Sequence, residues 1–193
     1  AGGPGRRGRG RQLGRLGGLR ISEGTPARCR GPQKGAPAGE PDDHAIGRSR
    51  GGLTTKIHLA ADGRCRPLAF HLTAGQAGDA PAFAGVMARL RVPRRRGRPR
   101  TRPDVVMADK AYSSREIRDH LRRRGIPAVI PERADQQANR VQRGRAGGRP
   151  PAFDREAYKQ RNTVERCINR LKQWRGIATR YEKTATIYLA GLH

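Results

Sequence analysis

Leu, Ile, Val and Phe, the side chains that build a core, are crowded into the middle of this chain. Residues 51–130 hold 17 of the 31, residues 131–193 hold 9, and residues 1–50 hold only 5. A core can therefore form from about residue 50 onward. The first forty residues are Gly, Arg and Pro with almost no periodicity and read as a disordered basic segment. Taken over the whole chain, the four residue types reach only about 16%. That lies under the roughly 20% which, joined to a high net charge, marks disorder. Because the apolar residues are so unevenly placed, disorder is expected only of the leading segment.

The net charge is +26, carried by 36 Arg and 6 Lys. Such a balance calls for an acidic partner, nucleic acid first. No apolar run approaches the ~20 residues of a spanning helix. Cys29, Cys65 and Cys167 are odd in number and far apart, which excludes a disulfide scaffold. With no secretory signal, the expected compartment is the cytoplasm, with reduced thiols. The start at Ala1 and the stop at His193 predict a fragment.

Residues 53–72 predict a β-hairpin. Leu53, Thr55, Ile57 and Leu59 alternate with polar positions, Asp62-Gly63 turns the chain, and Leu68, Phe70 and Leu72 alternate on the return. His58 and His71 fall on the polar positions, as solvent-facing or hydrogen-bonded strand residues. Asp79 is read as the cap of a helix with Pro81 in its first turn. Phe83, Val86, Met87 and Leu90 give that helix one buried face. An Arg-rich loop follows, with eight Arg between Arg89 and Arg102.

Val105 to Ala108 read as a strand buried on both faces. Ser113-Ser114-Arg115-Glu116 opens the next helix, through Leu121 toward Gly125. Ile126 to Ile130 read as another strand, 133–151 as a polar loop, and Asp154 to Trp174 as one long helix. The order predicts an α/β domain with a mixed sheet.

Two carboxylates stand out. Asp109 closes a buried strand, where open α/β sheets place their sites, although an acidic residue there also serves simply to stop a strand. Glu165 lies on the last helix. At 100° per residue, Tyr158, Arg161, Glu165 and Lys172 share a stripe of about 60°, with Asn169 next to it. It borders the apolar stripe of Val164, Ile168 and Leu171. The stripe is either a site at a helix–sheet junction or an ordinary Arg161–Glu165 pair on a solvated face.

The spacing Tyr158-x2-Arg161-x3-Glu165-x6-Lys172 resembles the Y-R-E-K pattern of bacterial insertion-sequence transposases of the DDE class. The surrounding RNTVERCINRLKQWRGIATRYEK (161–183) is similar to the group called insertion-sequence family five. VVMADKAYSS (105–114) resembles the block carrying that family's second acidic ligand, and the hairpin segment 47–83 its strand pair. The resemblance covers roughly residues 33–193. It implies a ribonuclease-H-like mixed sheet with flanking helices, and an Asp-Asp-Glu triad binding two Mg²⁺. Asp109 and Glu165 would be the second and third catalytic and metal-binding members. Lys110, Tyr158, Arg161 and Lys172 would contact DNA at element ends and target, where phosphate contacts position the duplex. Magnesium-dependent DNA cleavage and strand transfer is the implied activity; self-association of the chain is left open.

The family's first Asp sits on a V-D-S-T-like strand ahead of the hairpin. Here that place reads LRISEGTPARCRGPQK (19–34), and no Asp precedes Asp42. Glu23 is the acidic residue near it, and nothing marks it as a substitute. The expectation is an incomplete fold, truncated at the N-terminus, with the first strand missing. Residues 1–34 are then a disordered, frame-shifted segment and 35–193 a partial catalytic domain. Such a chain binds DNA but cleaves it poorly. The competing expectation is a non-catalytic basic nucleic-acid-binding protein. Against it stand an aromatic content of 4% and the lack of a base-stacking motif.

Overall fold

A computed structural model describes residues 19–24, 44–49, 52–182 and 184–193. Among them six strands form one mixed sheet. They are β1 (Leu19–Gly24), β2 (Gly47–Ser49), β3 (Gly52–Ala61), β4 (Pro67–Ala74), β5 (Val106–Ala108) and β6 (Ala128–Val129). The order along the sheet is β2-β3-β1-β5-β6, with β4 on the other edge of β3.

The strand expected to be missing is present, and it is central. β1 pairs antiparallel with β3, Ile21 facing Ala60, and parallel with β5, Ile21 facing Ala108. Without it, β3 and β5 would each bury a row of unpaired backbone groups, a cost no surface residue could offset. Ile21 is fully buried and anchors a strand whose apolar alternation, Leu19 and Ile21, is too short to announce it. The sequence expectations for residues 1–18 and 25–34 lie outside the described residues.

The hairpin forms as expected between β3 and β4, with Ile57 paired to Leu72 and Leu59 to Phe70. Its turn is wider than two residues. Asp62 organises it by accepting from the backbone N–H of Arg64 (2.9 Å) and Arg66 (3.0 Å). The polar positions were expected to face solvent or to be hydrogen-bonded, and both faces are covered. Ala60 and Ala69 pack with α1 (Asp79–Arg89) and α2 (Arg115–Arg123). Ile57, Leu59, Ala61 and Phe70 pack with α5 (Asn162–Lys172), α6 (Arg175–Ala178) and α7 (Ala185–Leu192). His58, on a polar position, is therefore fully buried. It is satisfied there by the Tyr112 hydroxyl at 3.2 Å and the Thr73 hydroxyl at 2.8 Å.

In α1 the predicted face of Phe83, Val86 and Met87 is buried, as is Leu90 just past its end. Its cap position is Gly78, not Asp79. The Asp79 carboxylate instead pairs with Lys56 at 2.8 Å, which ties α1 to β3. In α2, Ser114 is the cap and its Oγ accepts from the Ile117 N–H at 3.2 Å.

Two further differences lie in the C-terminal half. Part of the expected loop is a helix, α3 (Ala134–Gln142), which buries no residue. Its order comes from polar ties, an Arg140–Glu132 ion pair and the contacts of Gln136 with Ser113. Apolar periodicity cannot reveal such a helix. The expected long helix is divided into α4 (Arg155–Lys159) and α5. At the junction the Gln160 carbonyl accepts from both the backbone N–H and the hydroxyl of Thr163. Such back-bonding pulls a helix out of register, and the bonds here skip three residues rather than four.

Candidate active site

Asp109 leaves the C-terminal end of β5 and caps a single 3-10 turn, its Oδ1 accepting from the Lys110 N–H at 2.6 Å. The segment after it is fastened. Ser113 Oγ donates to Gln136 Oε1 at 2.9 Å. Arg118 Nη2 donates to Ser113 Oγ (3.0 Å) and to the Ile130 carbonyl (2.9 Å). Sequence reasoning missed Gln136 and Arg118, because a lone Gln or Arg in a polar stretch carries no periodic or motif signal. From the other side, Tyr112 is locked by His58 of β3.

Glu165 is on the first turns of α5, which packs on β1 and β3 through Val164, Cys167 and Ile168. The helix presents Glu165 half-exposed at the edge of that contact. Arg161 Nη2 binds Glu165 Oε1 at 2.7 Å. The same guanidinium lies over the Tyr158 ring, 5.6 Å from its centroid. Burial raises the Tyr158 hydroxyl pKa; Arg161 pulls it down, and the negative charges of Asp109 and Glu165 push it up. Tyr158 thus feels both carboxylates at once.

Arg161 therefore joins Tyr158 to Glu165, and the charge of Asp109, 56 residues before Glu165 in the sequence, reaches the Tyr158 hydroxyl. The Arg161–Glu165 pair of the second sequence reading exists, on the helix that packs against β1 and β3. Lys110 is adjacent to Asp109 and exposed. Lys172 is half-buried on α5, seven residues beyond Glu165, which is about 10 Å along a helix axis. It belongs to the face but not to the cluster.

Among the described residues no group of three or more His, Cys, Asp or Glu side chains converges to hold a metal ion. Asp109 and Glu165 offer hard oxygen donors of the kind Mg²⁺ takes. Two carboxylates fall short of the set that holds a pair of ions. The backbone of residue 22 is one step past Ile21, as Asp109 is one step past Ala108 in the parallel ladder. The residue level with Asp109 on the central strand is thus a serine.

A family described as transposase DDE domain matches residues 17–191. A protein named as the transposase for insertion sequence element IS6501, from Brucella ovis, is 30% identical over 141 residues. That match covers 73% of this chain and 93% of the relative. The corresponding protein for IS402, from Burkholderia cepacia, is 34% identical over 139 residues, 72% of this chain but 58% of the relative. Among solved structures, the catalytic domain of the Mos1 mariner transposase overlaps with a TM-score of 0.37 at 12% identity. It covers 86% of this chain and 82% of that one. No helix of the described residues is long and apolar enough to cross a membrane.

Proposed function

Since the chain belongs to the DDE transposases of insertion sequences, we propose that it handles DNA in transposition through a catalytic centre that lacks one carboxylate. The observation that carries this reading is the Tyr158–Arg161–Glu165 cluster on α4 and α5, within reach of the Asp109 charge at the end of β5. An unrelated basic binder has no use for that arrangement, and family membership does not favour it. The sheet is ribonuclease-H-like, and the domain comprises residues 35–193 completed by β1.

In this reading Asp109 and Glu165 are the two surviving acidic members of the site. Lys110, Tyr158 and Arg161 hold the DNA backbone beside them, and Lys172 holds it farther along α5, as charged and hydroxyl groups do at phosphates. The family uses a divalent metal; bound between carboxylates, such ions activate a nucleophile and stabilise a leaving oxygen. Among the described residues only Asp109 and Glu165 offer carboxylates here, and those two do not fit a two-ion centre. Arg161 already occupies one Glu165 oxygen. DNA binding is therefore retained and cleavage impaired. The partner is DNA, at element ends and target, and the compartment this requires is the cytoplasm.

A nicking assay on supercoiled DNA carrying element ends, with Mg²⁺ or Mn²⁺ added, tests the impairment. The expected result is duplex binding without metal-dependent nicks. Efficient cleavage that disappears in both Asp109→Ala and Glu165→Ala would overturn it.

A further inference from the structure

The loop between α1 and β5 is not a slack connection. Val92 and Arg100 pair across its base through two backbone hydrogen bonds, of 2.9 and 2.8 Å. The result is a short finger, residues 92–100. Near its tip Gly97 adopts φ +83°, and a Cβ added there would meet nothing within 4 Å. The finger therefore projects into solvent.

Three arginines stiffen it from below. Arg100 Nε donates to the Arg102 carbonyl at 2.9 Å and its guanidinium also binds Asp104. Arg102 Nη2 donates to the Gly125 carbonyl at 2.5 Å, and Arg124 Nη2 to the Thr101 carbonyl at 3.0 Å. Carbonyls satisfy donors but do not cancel charge. Of these three guanidinium groups only that of Arg100 faces a carboxylate among the described residues.

Above this base, Arg94, Arg95, Arg96 and Arg98 are exposed and have no ion-pair partner among the described residues. Holding four like charges on one braced turn costs self-repulsion that a flexible loop would relieve by spreading. A concave surface of about 700 Å³ opens beside them, lined in part by Arg94, Arg98, Arg100 and Arg102. Closely spaced positive charge beside a concavity fits a chain of regularly spaced phosphates.

The placement separates this surface from the acidic site. The finger feeds the N-terminal end of β5, whereas Asp109 leaves its C-terminal end. From Val105 to Asp109 the extended chain covers on the order of 13 Å, and the finger lies beyond that. We propose that residues 92–100 form a second docking surface for duplex DNA, gripping the phosphate backbone at the end of the sheet opposite Asp109 and Glu165. This rests on the reading that DNA is the partner, and on neither metal binding nor cleavage. Apart from Val92, half-buried at the base, the finger carries no large apolar or aromatic side chain. It therefore has nothing to anchor a protein interface or insert into lipid, and nothing to read bases.

Fluorescence anisotropy with a labelled random-sequence duplex, repeated from 50 to 200 mM salt, tests the proposal. Each phosphate contact contributes about 0.9 to the slope of log affinity against log salt. The exposed quadruple variant Arg94→Ser, Arg95→Ser, Arg96→Ser, Arg98→Ser should lower that slope by at least about 2. It should also weaken binding about tenfold or more at 100 mM salt. The quadruple Arg→Lys variant should keep most of the slope. A wild-type chain that binds DNA, with a Ser variant whose slope changes by less than about 1, would overturn the finger alone. A wild-type chain that binds no duplex would overturn the DNA reading together with it. Phosphatidylglycerol vesicles that compete as well as unlabelled duplex would also overturn the proposal.

Discussion

Lowering the pH should unfasten the segment behind Asp109, because its anchor is a buried imidazole. His58 is fully buried between the Tyr112 and Thr73 hydroxyls. Burial is the main reason its pKa falls from 6.5 to about 4. Asp79 on α1 works against that fall, while His71 on β4 and neighbouring Lys56 add to it. The unfolded chain takes up this proton below about pH 6.5, and the folded chain not until about pH 4. Stability is then fully present above the upper value and declines as pH falls through the window. Below the lower value the loss levels off. Linkage puts the loss at about 2 kcal/mol by pH 5 and about 3 kcal/mol at the limit. With a urea slope of roughly 2 kcal/mol/M, the midpoint should move by about 1 M between pH 7.5 and pH 5. His58→Gln has no proton to gain. It will be less stable throughout, but the pH-dependent part of its loss should be smaller by about 2 kcal/mol. Urea titrations of both proteins at the two pH values supply the comparison, with other titrating groups common to both. If wild type and His58→Gln lose the same stability within about 0.5 kcal/mol, the reasoning fails.

Introducing a carboxylate by Ser22→Asp, level with Asp109 on the neighbouring strand, should raise Mn²⁺ affinity at least tenfold in calorimetric titration. That gain should vanish when Asp109→Ala is added, and its persistence would place the ion elsewhere. Ser114→Ala removes the α2 cap and should cost about 1 kcal/mol in urea unfolding, a loss under 0.3 kcal/mol counting against the cap.

The sequence alone determined the elements whose local chemistry is strong. The hairpin of β3 and β4 follows from alternation around Asp62, and the buried face of α1 from its 3.6-residue period. The placement of Asp109 at a strand end and of Glu165 on a helix was legible because both are local patterns. Elements held by distant partners were not legible. β1 carries almost no pattern and forms because β3 and β5 need a strand between them. α3 has no apolar face and stands on the Arg140–Glu132 and Gln136–Ser113 contacts. The turn between α4 and α5 depends on one shared carbonyl. Only the tertiary structure decided that His58 is buried, since that depends on what packs over the polar face of a strand. It also decided that Tyr158, Arg161 and Glu165 meet within reach of the Asp109 charge, and that the arginines after α1 lie at the far end of β5. A one-dimensional pattern records which face a residue prefers. The free energy of covering that face, and of pairing every buried backbone group, is set by neighbours far away along the chain.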